Sequence, residues 1–496
     1  MKVMLVSCPT WATWAPSYAL GLLTSALKQN GHQAITIDLN IEIYHSVNKD
    51  DQKLWLDQYG GYWDNTVKVQ GFFDRYRDLL ESVAKRLATA GVSVVGFSVN
   101  SASRLLSQHL NRLMKKYNPQ IITIFGGPDC FRAYYGLSFM DDPNIDAICT
   151  LEGDIVLPEF IDTIEKGDFG KYALKGFVIR NRQTRNLLDG QDPVPVMDLD
   201  KLPFPDYSWA DLQQYTIKNR LTMMLSRGCI NRCSFCSEGA NFKKYRFRSA
   251  INIISEIKQH MQMLGNPSGV FINFNDSLIN GNMKEFVELC DLIKQEGLKF
   301  SWGGMALFRP EMTMEVITKM KQAGCVELMW GLEAGNDPVL KLMRKHFNVA
   351  LAERIIGDCF KVGIKQCTNI IIGFPGETDS DFRETAAFVT KNNRYFEAIG
   401  LPYMTLHKNS HVYENASLYN IKNRDAALEW ELMDGSNTYP IRQVRRQHLM
   451  SIIENKLFDQ GKYEGTKFSI VPYSNKKSIV KLTKFLYYPI LKMIKK

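Results

Sequence analysis

Four prolines within Gln191-Asp-Pro-Val-Pro-Val-Met-Asp-Leu-Asp-Lys-Leu-Pro-Phe-Pro-Asp206 divide this 496-residue chain into two parts that must fold around separate cores. Each proline fixes its own φ, lacks an N–H and pushes the preceding residue out of the helical region, so the segment reads as extended linker. The length independently asks for more than one domain. On both sides of the linker, short β-branched runs alternate with helix-period segments, the rhythm of parallel βαβ units. The expected fold class is α/β. A doubly wound domain spans 1–190, a Pro-rich linker 191–210, a partial (βα)6 TIM-like barrel 211–407, a mainly helical cap 408–474 and a basic apolar tail 475–496.

In the first part, strands are expected at 3–7, 34–38, 92–99, 121–125, 147–150 and 177–180. Leu20, Leu23 and Leu27 lie at helical spacing, and Gly31 closes that helix. Doubly wound domains bind ligands beyond the carboxyl ends of their strands, which directs attention to Asp38-Leu-Asn40, to 98–103 and to Gly126-Gly-Pro-Asp129. Residues 41–90 carry an aromatic insertion with Trp55, Trp63, Phe72 and Phe73. It either covers a ligand or packs an extra helical segment.

In the second part, strands are expected at 222–226, 270–275, 300–305, 326–331, 368–374 and 399–406, and a barrel of this kind places its chemistry at the carboxyl ends. At the first such end stands Ser226-Arg-Gly-Cys229-Ile-Asn-Arg-Cys233-Ser-Phe-Cys236. Thiolates are soft ligands for iron-sulfur clusters or zinc, and this spacing lets one loop wrap three of them around a single centre. Three ligands leave one iron of a 4Fe-4S cubane open, whereas structural zinc closes with four. The next Cys is Cys290 and the next His is His260, neither at zinc-ribbon spacing. Structural zinc and plain buried thiols remain the alternatives to a cluster.

With Phe235 directly before Cys236, the loop resembles the cluster signature of the radical S-adenosylmethionine superfamily. The resemblance implies a 4Fe-4S cluster on Cys229, Cys233 and Cys236 whose open iron holds S-adenosylmethionine. One electron would cleave the sulfonium to methionine and a 5'-deoxyadenosyl radical. Three further strand ends repeat the likeness. Asn273-Phe-Asn-Asp276 stands where relatives meet the methionine moiety, which implicates Asn275 and Asp276, although the common Gly-Gly-Glu is absent. Trp330-Gly-Leu-Glu-Ala-Gly335 places Glu333 at the nucleoside or methionyl group. Ile370-Ile-Ile-Gly-Phe-Pro-Gly-Glu377 places Gly373 and Gly376 behind the adenine. A helix-start carboxylate and an ordinary turn are the plain alternatives for these last two. Arg344 and Arg309 are cations available to balance a ligand carboxylate.

Pro16-Ser-Tyr-Ala-Leu-Gly-Leu-Leu, Gly126-Gly-Pro and Glu152-Gly-Asp resemble the Rossmann-like cobalamin-binding domain that precedes the barrel in one class of this superfamily. The resemblance implies a corrin at the strand ends near Ser98, Ser101, Gly126, Gly127 and Pro128, with only hydrogen tolerated at Gly127. No Asp-x-His-x-x-Gly loop is present, so cobalt would lack a lower imidazole. An empty scaffold of the same fold is the alternative. The implied reaction is methylation of an unactivated carbon, in which the radical removes a hydrogen and methylcobalamin supplies the methyl group. Rearrangement, cyclisation or carbon-carbon coupling is the alternative. The substrate is a small molecule, lipid or peptide, and a small flavodoxin or ferredoxin is the expected electron donor.

Net charge is +9, but residues 475–496 hold seven lysines and no acid, which leaves only +2 for the remainder. The basicity is therefore a tail, not a nucleic-acid-binding face. Its lysines alternate with apolar residues, so it either docks on its own protein or lies on an anionic membrane surface. Ten cysteines, scattered apart from the triplet, fit a reducing cytoplasm, and the first residues show no secretion signal.

Overall fold

The computed structural model describes residues 1–453 apart from 57–58, 133 and 193–194. The expected tail at 475–496 and the end of the cap lie outside the described residues. The first sheet contains β1 (Lys2–Ser7), β2 (Gln33–Asp38), β3 (Val94–Ser98), β4 (Ile122–Gly126), β5 (Ala147–Cys149), β6 (Phe177–Arg180) and β7 (Leu187–Asp189), in the order β2-β1-β3-β4-β5-β6-β7. The first five strands are parallel, and β6 and β7 run antiparallel to their neighbours. Neither β7 nor the antiparallel edge is expected from the sequence pattern. The six residues between β6 and β7 permit a hairpin but not the dozen or more residues of a parallel crossover.

Both faces of this sheet are covered. Leu20 and Leu27 of helix Tyr18–Gln29 and Phe160 and Ile161 of helix Gly153–Glu165 pack with Val3, Leu5 and Val94. On the other face, helices Arg77–Ala88 and Arg104–Tyr117 pack Leu80, Val83, Leu106 and Leu110 with Met4, Val6, Val95 and Phe97. The aromatic insertion extends this second core. Trp55 and Trp63 stack edge-on at 5.1 Å, Trp63 meets Phe72 at 5.1 Å, and Trp55 Nε1 donates to Asn40 Oδ1 at 2.7 Å. Of the two readings of the insertion, the structure supports core packing.

The second sheet has six parallel strands: β8 (Arg220–Met223), β11 (Phe271–Phe274), β12 (Ser301–Ala306), β13 (Cys325–Glu333), β14 (Lys365–Ile370) and β15 (Ala398–Gly400). Their spatial order follows the chain. Between β8 and β11 the chain forms a short antiparallel pair, β9 (Ser226–Arg227) with β10 (Arg246–Phe247), so the strand expected at 222–226 breaks and turns. The linker and the residues just after it dock across both sheets: Tyr207 Oη donates to the Thr222 carbonyl at 3.1 Å, and Tyr215 Oη donates to Asp38 Oδ2 at 2.8 Å. In the cap, helix Tyr439–Ile453 packs on helix Asp379–Asn392, and buried Arg445 reaches Glu377 and Asp379, each at 2.8 Å. Among the described residues no helix is long and apolar enough to cross a membrane.

Candidate active site

The three cysteines lie on the loop that β9 and β10 enclose. Gly228, at φ +82°, starts it, and a Cβ there would sit 3.0 Å from the Lys244 carbonyl on the returning arm. Inside the loop, Arg232 donates to the Cys229 carbonyl at 3.1 Å and to the Lys243 carbonyl at 2.6 Å. The Asn231 and Glu238 amides donate to Cys229 Sγ and Cys236 Sγ, both at 3.4 Å. Burial raises the Cys229 and Cys233 thiols, so a metal would have to displace their protons. Three soft thiolate donors on one short loop fit a cluster with one open iron.

Neighbouring elements hold the loop in place. The Asp276 carboxylate accepts from the Leu225 amide at 3.0 Å and from Ser226 through both its amide and its hydroxyl, the latter at 2.6 Å. Burial pushes this carboxyl up to about 7 against those donors. Asp276 thus anchors the loop, where a contact with a ligand was expected. Buried Ser234, between Cys233 and Cys236, donates from its amide to the Met343 carbonyl at 3.0 Å and from its hydroxyl to the Leu342 carbonyl at 2.9 Å. It also accepts from the Val412 amide at 2.9 Å.

Glu333 ends β13 at φ +72°, where a bulge interrupts its pairing with β14. A non-glycine residue in this region is strained and must be held by its surroundings. Part of that hold is Lys345, which the sequence reading missed. Its Nζ donates to the Gly331 carbonyl at 2.9 Å and to Glu333 Oε1 at 3.3 Å, and lies 5.5 Å from the centroid of Phe235. Burial alone would lower the lysine, but the Glu333 carboxylate and then Cys233 more than offset it and hold the ammonium charged. Arg344 was expected to balance a ligand carboxylate. At φ +58° it reverses the chain, so its own side chain leaves the site and donates to His411 Nε2 at 2.7 Å. The one signal for Lys345 was its adjacency to Arg344.

The remaining candidates separate. Asn275 is half-buried and accepts from Asn273 at 3.0 Å. Arg309 pairs with Glu311 at 2.7 Å and donates to the Asn280 and Gly281 carbonyls at 3.2 and 2.6 Å, so it serves a turn and not a ligand. Gly373, at φ +78°, is required by the protein's own packing: a Cβ would lie 2.4 Å from the stem of Arg442. At Gly376, φ +91°, the nearest atom is Leu342 Cδ1 at 3.1 Å.

At the carboxyl edge of the first sheet, Asp38 is closed off by Ser7 and Tyr215. The exits of β3 and β4 stay open, with Ser98 half-buried and Ser101 and Pro128 exposed. Gly126 has ordinary space, its nearest neighbour Cys149 Cβ at 3.5 Å. Gly127, at φ +102°, does not: a Cβ would fall 2.6 Å from the Val99 carbonyl oxygen. The expectation that only hydrogen fits at Gly127 holds, but the obstacle is Val99 and no corrin is needed to explain it. This edge adjoins the cysteine loop. Tyr134 Oη lies 2.8 Å from Ser237 Oγ and accepts from Asn241 at 2.9 Å.

A closed three-thiolate loop on a sequentially wound parallel sheet, behind a doubly wound domain, defines a class. Residues 223–389 match the family description of the radical SAM superfamily. It is 28% identical over 321 residues to an uncharacterized methyltransferase of Pyrococcus horikoshii, covering 62% of this chain and 66% of that one. It is 25% identical over 363 residues to the anaerobic magnesium-protoporphyrin IX monomethyl ester cyclase of Rubrivivax gelatinosus, covering 69% and 63%. The chain thus spans about two thirds of the length of these curated relatives. Its fold is similar to that of TsrM, a radical S-adenosylmethionine methyltransferase of Kitasatospora setae solved with cobalamin and a 4Fe-4S cluster. The TM-score is 0.60 at 16% identity, with 84% of this chain and 78% of that one covered.

Proposed function

We propose that this protein is a cobalamin-dependent radical enzyme that methylates an unactivated carbon. Cys229, Cys233 and Cys236 would hold a 4Fe-4S cluster, and the Glu333–Lys345 pair would meet the polar groups of S-adenosylmethionine. The open exits at Ser98, Ser101, Gly126 and Pro128 would face a corrin. When bound, the cluster supplies the electron that cleaves S-adenosylmethionine, and the corrin carries the methyl group. The protein's own residues fix the loop and keep a lysine charged beside the thiols. The observation that supports the reading is the contact of Tyr134, on the segment after β4, with Ser237 and Asn241 in the cysteine loop, which brings that segment beside the loop. All ten cysteines are free thiols, in keeping with a reducing cytoplasm and a flavodoxin or ferredoxin as electron source.

The test is anaerobic reconstitution with iron, sulfide and hydroxocobalamin. Deoxyadenosine should form only with the triplet intact, and S-adenosylhomocysteine only with corrin retained. Deoxyadenosine without any corrin binding would overturn methyl transfer by this route. It would favour cyclisation or rearrangement, the reading kept open by the similarity to the Rubrivivax cyclase.

A further inference from the structure

Arg227 and Arg246 stand directly opposite each other on β9 and β10, the two arms that enclose the cysteine loop. Like charges opposed across an antiparallel pair repel, and these side chains are only 10% and 1% exposed. Their counter-ions come from the other sheet. Glu152 grips Arg246 with both carboxylate oxygens, Oε2 at 2.8 Å from Nη1, and lies 3.3 Å from Arg227 Nη1; Asp154 takes the same nitrogen of Arg227. Glu152 and Asp154 are themselves 7% and 8% exposed. They follow β5, which pairs on one side with β4, the strand that ends at Gly126. The hairpin that presents the three thiols is therefore electrically complete only while the carboxyl edge of the first sheet holds its shape.

We propose that Glu152 and Asp154 are positioning residues that couple the two cofactor sites, so that a corrin at the sheet edge tightens the cluster loop and a cluster tightens corrin binding. This rests on the function proposed above. Because binding linkage is reciprocal, the same factor must appear in both directions.

The experiment measures how fast an iron chelator strips reconstituted protein under argon, with and without hydroxocobalamin, and the hydroxocobalamin affinity with and without the cluster. In the unaltered protein, corrin should slow iron loss about fivefold or more, the lower range of such couplings, and hydroxocobalamin should bind more tightly when the cluster is present; the reciprocal factor applies to equilibrium affinities and not to the stripping rate. In Glu152→Gln and Asp154→Asn the protection should fall below about twofold, while corrin is still retained through gel filtration. Glu152→Asp, which keeps the charge, should restore part of it. Equal corrin affinity with and without the cluster would overturn the coupling even if no variant folds. Protein that binds neither group would remove the functional reading and the coupling with it, whereas protein that binds both independently would remove the coupling alone.

Discussion

Lys345 Nζ lies 3.3 Å from Glu333 Oε1, with the lysine 3% and the glutamate 13% exposed. Stranding either charge should cost about 3–5 kcal/mol, because a buried ion without its partner is left uncompensated. Glu333→Gln and Lys345→Met should each lower thermal stability by this order. The double variant should lose much less than their sum. Melting curves of the three variants check this, and additive losses would show that the pair is not coupled.

The two glycines after β14 should respond unequally. Both need positive φ, which costs an L-residue about 1–3 kcal/mol. Only Gly373 also faces a collision, at 2.4 Å with the stem of buried Arg442, whereas Gly376 faces the end of Leu342 at 3.1 Å. Gly373→Ala should therefore unfold at clearly lower denaturant than Gly376→Ala. Equal midpoints would mean that Arg442 yields without cost.

The anchors of the cysteine loop show how far the sequence could be read. Cys229, Cys233 and Cys236 announce themselves by spacing, and the strands by their β-branched runs. Asp276, Glu333 and Gly373 could be picked out as special, but not assigned to a partner. Asp276 turns back to the Leu225 and Ser226 amides, and Gly373 makes room for an arginine about seventy residues later. Lys345 was passed over for Arg344 because nothing local reveals that a positive φ at Arg344 sends the two side chains apart. Register across the β13 bulge, and the pairing of Glu152 with arginines on another sheet, are tertiary facts with no local periodicity to betray them.

Cluster assembly should depend on the triplet and on no other thiol. Cys229→Ala, Cys233→Ala and Cys236→Ala should each abolish deoxyadenosine formation and lower iron well below the four per chain that one cubane requires. Cys290→Ala should retain both, since Cys290 is buried in the barrel core. Stoichiometric zinc with no iron absorbance would contradict this.

Asp276 gives a pH signature. Burial raises its carboxyl from 3.8 to about 7 in the folded chain. Between these values the folded protein holds a proton that the unfolded chain releases. The resulting stabilisation is full below pH 3.8 and is lost as pH rises towards 7, at up to about 1.4 kcal/mol per pH unit. Asp276→Asn has no proton to lose. The melting temperature of the natural protein, taken relative to that of the variant, should fall as pH rises from 4 to 7. A relative melting temperature that rises instead would show that the three donors favour the ionised form.

The electron donor should approach Cys236, the most exposed of the three thiols, where Arg232, Lys243 and Lys244 of the same loop are also exposed. Charge complementarity to an acidic carrier acts mainly on association and weakens with salt. Lys243→Glu with Lys244→Glu should slow reduction of the cluster by flavodoxin severalfold at low ionic strength and little at high. Rates indifferent to both salt and charge reversal would place docking elsewhere.

The bond from the Val412 amide to the Ser234 carbonyl has a consequence for biogenesis. The cysteines leave the ribosome long before the segment that closes over them, and Met343, which accepts from the Ser234 amide, also emerges after them. Throughout that interval the thiols stand on a hairpin still open on that side, accessible to whatever delivers iron and sulfide. Completion of the chain then covers the loop on that side alone, and Cys236, which stays exposed, remains the approach by which the finished chain can still take up iron and sulfide.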